Sequence, residues 1–78
     1  MREIIENFLK SDRESIPLQV HPIQTYRDIL KDFGYELGGC EHNGWQVDFW
    51  EKFSKGDKSI TLSGSLWYGK YKLTKNYD

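Results

Sequence analysis

Two hydrophobic spacings divide the chain. Over residues 2–10 and 23–33 apolar residues recur at helical intervals; beyond Gly34 they alternate with polar ones. Ile4, Ile5, Phe8 and Leu9 predict a short amphipathic helix over residues 2–10. Ile23, Tyr26, Ile29, Leu30 and Phe33 predict a second helix. Pro22 suits its first turn, where a missing N–H costs nothing, and Gly34 supplies a left-handed stop. Thr25 and Asp28 also fit a capping box, which would start this helix at Thr25 instead. Between the helices, Ile16, Leu18 and Val20 alternate with Pro17, Gln19 and His21. Pro17 limits that segment to an extended linker or an edge strand, because proline interrupts a central ladder.

After Gly34, turn signals at Asn43-Gly44, at residues 54–57 (SKGD) and at Tyr68-Gly69 separate four strands. A two-residue turn at Tyr68-Gly69 pairs Trp67 with Lys70, Leu66 with Tyr71 and Gly64 with Leu73. A four-residue turn at 54–57 pairs Phe53 with Lys58, Glu51 with Ile60, Phe49 with Leu62, Val47 with Gly64 and Trp45 with Leu66. Both turns select the same core face, and a slip of one residue would invert every side chain.

The first hairpin fits less simply. Pairing His42 with Trp45 sets Cys40 against Val47, but it turns Tyr35 outward and puts Leu37 opposite Trp50. A bulge at Gly38-Gly39 absorbs one residue and returns Tyr35 and Leu37 to the core face, and glycines are where bulges are expected. The reading favours the bulge; without it Leu37 and Trp50 form a small second cluster. The expected fold is α+β: one domain over 1–78, with a four-stranded antiparallel meander sheet (residues 35–75) and one or two N-terminal helices packed on one face.

The other face is then a polar field holding two tryptophans. It carries Gln46, Asp48, Trp50 and Lys52, then Thr61, Ser63, Ser65 and Trp67, then Lys70, Lys72 and Thr74. Its charge is divided. Residues 34–53 hold one lysine against four acids, net −3, and residues 54–78 hold five lysines against two acids, net +3. Because tryptophan and tyrosine dominate binding hot spots, Asp48, Trp50, Lys52, Trp67, Tyr68, Lys70 and Lys72 are the candidate partner-binding residues. The bland alternative is that Trp50 only shields the sheet backbone or packs on neighbouring lysine stems.

Three ligand classes suit such a face: a larger protein, single-stranded nucleic acid stacked on Trp50 and Trp67, or a sugar. The overall charge of −1 argues against a polyanion binder, whose affinity comes mainly from neutralised phosphates. Sugar binding fits an exported protein better. A single cysteine, Cys40, suits a reducing cytoplasm, and residues 1–12 lack the apolar core of an export signal. No eighteen apolar residues run together, so no membrane partner is expected. Self-association through the open face stays in view, as does pairing through an exposed edge strand.

Catalytic chemistry finds little support. Cys40 and His42 would share one side of a strand, but a structural zinc site wants four ligands, and His21 lies far along the chain. A Cys-His nucleophile needs an orienting third group, and Asp48 falls on the opposite face. The glycines at 38–39 and at 64 match no phosphate loop; Gly64 reads as making room for a helix to approach the sheet. Glu3, Glu6, Asp28 and Asp32 belong to solvated helix faces. The expectation is a non-enzymatic protein-binding module without metal or cofactor, regulating or inhibiting a larger protein by occlusion. Small inhibitors encoded by phages or mobile elements are of that general type.

Overall fold

The computed structural model describes residues 2–43, 48–65 and 69–76, with the backbone alone at His42 and Asn43. Along the chain come α1 (Arg2–Lys10), β1 (Ser15–Leu18), α2 (Ile23–Asp32), β2 (Glu36–Asn43), β3 (Asp48–Lys55), β4 (Lys58–Ser65) and β5 (Lys70–Asn76). The fold is α+β, and its antiparallel sheet has five strands in the order β1-β5-β4-β3-β2. The last four form the expected meander. The fifth is the Pro17 segment, which adds to the outer side of β5 with Ile16 opposite Leu73. An edge position suits Pro17, which has no N–H to give to a second neighbour.

Both helices bury most of the face their spacing predicts, although Ile4 of α1 stays 56% exposed. Ile5 and Phe8 of α1, with Tyr26, Ile29 and Leu30 of α2, join Phe49, Phe53, Ile60, Leu62, Tyr71 and Leu73 in one hydrophobic cluster. Pro22 caps α2 at its N-terminus, and Gly34 follows its end with φ 91°. The Thr25–Asp28 capping box does not form. Thr25 N–H instead donates to the Pro22 carbonyl at 2.9 Å, and Asp28 accepts from Gln24 Nε2 at 2.8 Å. Lys75 Nζ donates to the Ser11 carbonyl just beyond α1 and lies 4.8 Å over the Phe8 ring, a cation where the helix dipole favours one.

All three hairpin registers differ from the turn arithmetic, yet the β3, β4 and β5 faces do not. Phe53 pairs with Ile60, and Lys55 with Lys58, so the turn is Gly56-Asp57 alone, with Gly56 at φ 60°. Gly64 pairs with Tyr71, not with Leu73, and Ser65 with Lys70. In each case the register moves by two residues, which preserves the inward set. Asn43 pairs with Asp48 and His42 with Phe49, not with Trp45; the expected turn residue Gly44 lies outside the described residues. The pairings inferred for Trp45, Val47, Leu66 and Trp67 fall outside the described residues.

The bulge is present between Leu37 and Gly39. It places Leu37 opposite Phe53, on the helix side, while Gly39 pairs with Lys52 and Glu41 with Trp50 on the other side. Tyr35 is buried, as expected. Leu37 remains 43% exposed, because β2 is an edge strand and Leu37 lines the wall of a groove beside α2 with Gln24, Arg27, Tyr35 and Phe53. Gly64 does not make room for a helix. A Cβ there would stand 2.5 Å from Tyr71 Cδ1 and 2.9 Å from the Lys70 carbonyl, so it is the Tyr71 ring that occupies the space.

Candidate functional site

Register fixes which residues share the sheet face turned away from the helices. One row across the strands runs Asp48, Ser65, Lys70. The next runs Glu41, Trp50, Ser63, Lys72, Pro17, and a third Lys52, Thr61, Thr74, Ser15. Of the expected partner-binding residues, Asp48, Trp50, Lys52, Lys70 and Lys72 therefore share one face, and no described element covers it. Trp67 and Tyr68 lie outside the described residues. Along the middle strand, Thr61, Ser63 and Ser65 form a half-buried hydroxyl strip between the two charged flanks.

Trp50 stands near the middle of this face with 41% of its surface exposed. Its indole Nε1 donates a 3.0 Å hydrogen bond to Glu41 Oε2, directly across on β2. The ring passes over Gly39, whose missing side chain leaves its Cβ position 3.9 Å from Trp50 Cζ3. Two neighbours thus set the orientation of an exposed aromatic. Glu41 was not legible as a site residue, because its position opposite Trp50 follows only from the observed register.

The face is electrically dipolar. Glu36, Glu41 and Asp48 lie on the β2–β3 side, whereas Lys70 and Lys72 lie on β5; Lys52 stands beside Trp50 on β3. Among the described residues, Asp48, Lys52, Lys70 and Lys72 make no ion pair.

The helix side holds an acid that the alternation pattern put inward without explaining. Glu51 is fully buried between Phe49 and Phe53, and Arg27 of α2 grips it through two bonds, Nε to Oε1 at 2.8 Å and Nη2 to Oε2. The hydrogen bond to Glu51 raises the Arg27 pKa above its ordinary value. Arg27 follows Ile23 by four residues and precedes Leu30 by three, beside the apolar stripe of α2, but that spacing does not name Glu51 as its partner. Cys40 sits opposite Glu51 on β2 and is exposed, on the other side of the sheet from Asp48. His21 packs edge-on against Tyr26 at 6.2 Å, and the described residues contain no group of three or more His, Cys, Asp and Glu that could hold a metal ion. Among the described residues, no helix is long and apolar enough to cross a membrane.

Burial pushes the hydroxyls of Tyr26, Tyr35 and Tyr71 to higher pKa, with the nearby Tyr71 adding to the effect on Tyr26. Glu6 pairs with Lys10 at 3.1 Å and Asp32 with Arg2 at 2.8 Å, both on exposed surface. These carboxylates do the solvated-face work expected of them.

The chain is thus an α+β protein with two helices on one side of a five-stranded antiparallel sheet and a polar, tryptophan-bearing face on the other. No protein-family model matches it, and no characterised protein or solved structure does either.

Proposed function

We propose that the chain is a small cytoplasmic protein-binding module that regulates or inhibits a larger protein by covering one of its functional surfaces, with no catalysis of its own. The observation that carries this reading is Trp50: half-exposed, central and oriented by Glu41. A pre-oriented aromatic costs little side-chain entropy on docking, which is what a recognition anchor needs. Charges of both signs around it suit a protein surface, which also carries both. The single cysteine supports a reducing compartment.

Single-stranded nucleic acid is the weaker reading. Bases stacked on Trp50 would bring phosphates past Glu41, whose carboxylate stands 3.0 Å from the indole nitrogen. Glu36 and Asp48 lie on the same flank, so the three lysines of the face are matched by three acids. Phosphate neutralisation, the main source of such affinity, is largely cancelled.

The test is retention of partners from extracts of the source cell or its host on immobilised wild-type chain and on Trp50→Ala, alongside oligonucleotide titration at low salt. A partner held by wild type and lost by the variant is expected. Equal retention by both removes this face from the reading, and salt-sensitive oligonucleotide binding that falls with Lys70→Ala or Lys72→Ala would replace it with the nucleic-acid one.

A further inference from the structure

The three rows of the open face share a property that occlusion does not require. Laid on its own reverse about β4, none of them sets like charge on like. Turned end for end, the first row sets Asp48 over Lys70, and the second sets Trp50 over Lys72 with Glu41 alongside. The third sets Lys52 over Thr74, while Ser65, Ser63 and Thr61 meet their own copies. Hydroxyls are the side chains suited to that central line. Each is donor and acceptor at once and can pair with itself, as a carboxylate or an ammonium cannot.

Reversing a face end for end against itself is the operation of a two-fold axis parallel to the strands and passing over β4. We infer that a second copy of this chain docks on the open face about that axis, forming a reversible dimer that masks Trp50 until a target displaces it. The inference rests on the reading of this face as a protein-binding surface, and it names the occupant in the target's absence. Charge selects the axis. A two-fold perpendicular to the strands and over the Trp50 row would set Asp48 on Lys52 but also Glu41 on Glu41 and Lys72 on Lys72, whereas the parallel axis joins opposite charges at Asp48 and Lys70 twice per dimer and sets no like charges together.

The geometry is that of two aligned sheets packed about 10 Å apart. Three rows across five strands give a face of about 500 Å² per copy, or roughly 1,000 Å² in all, the lower bound for a specific interface. A weak, salt-sensitive dimer follows, which suits a contact that another protein must displace.

Sedimentation equilibrium on the full chain tests this, with circular dichroism confirming that each variant is folded. At low salt the wild-type mass should rise with concentration from 9.3 kDa toward twice that value. Asp48→Lys and Lys70→Asp, studied separately, should each weaken association at least about tenfold, because each then meets a like charge twice. An equimolar mixture of the two variants should restore the dimer, since in the mixed pair both positions again meet opposite charge. Lys72→Glu should weaken association independently. A wild-type chain that stays monomeric to millimolar concentration overturns the inference, as does a dimer indifferent to both reversals or not restored by mixing. Any of these leaves the Trp50→Ala retention result standing, so the two readings fail separately.

Discussion

Trp50 and Glu41 sit directly opposite each other on neighbouring strands, and the indole Nε1 donates to the carboxylate at 3.0 Å. The pair is solvent-exposed, so its role is to orient the ring more than to hold the sheet together. Glu41→Ala should leave unfolding free energy within about 0.5 kcal/mol of wild type, as for ordinary surface positions. It should nevertheless weaken target binding several-fold, because the released ring must be ordered on docking; Glu41→Gln, which can still accept the bond, should restore most of it. Urea unfolding and titration with the captured target measure the two effects separately.

Arg27 and Glu51 make the opposite prediction, a large effect on stability. Removing Arg27 leaves a fully buried carboxylate without its cation, at a cost of about 3–5 kcal/mol, a large fraction of what a domain of this size has. Arg27→Ala should unfold at much lower urea than wild type. Arg27→Met combined with Glu51→Leu should recover most of the loss, since replacing both charges removes the desolvation cost as well as the attraction.

The glycines separate by the space around them. Gly64→Ala drives a methyl group into the Tyr71 ring and the Lys70 carbonyl, and should destabilise by about 1–3 kcal/mol through overpacking. Gly38→Ala meets nothing closer than 3.9 Å and should be nearly neutral. Deleting Gly38 is a different matter. Without the extra residue, β2 on the Leu37 side must turn Tyr35 out of the core or lose its pairing, and thermal unfolding should fall well below that of either substitution.

Alkaline pH should unfold the chain through its tyrosines. Tyr26, Tyr35 and Tyr71 have raised pKa in the folded state because burial disfavours the phenolate. Their contribution is complete below the unfolded value of about 10 and is lost as pH climbs from there through the folded values, because only the unfolded chain ionises freely at first. Urea midpoints should be flat on this account near neutrality and decline above about pH 10. Tyr35→Phe should make the decline shallower. Tyr26→Phe should do the same but also lower the neutral-pH midpoint, since it loses the hydroxyl bond to the Gln19 carbonyl.

Periodicity alone carried the helices, the inward set of the last three strands and the bulge. Ile5 and Phe8, or Tyr26, Ile29 and Leu30, can be buried together in only one local conformation, and alternation assigns strand faces without knowledge of the partner. The sharing of one face by Asp48, Trp50, Lys52, Lys70 and Lys72 was legible for the same reason. What alternation cannot carry is register to within two residues, because a shift of two leaves every side chain on its side. The turns were therefore misplaced at Phe53 and at Ser65 while the core stayed correct, and Glu41 went unseen as the neighbour of Trp50. Only the tertiary structure decided that Arg27 meets Glu51 and that β1 closes the sheet beside β5. Each joins residues distant along the chain, and such meetings are set by packing between elements, which no local pattern encodes.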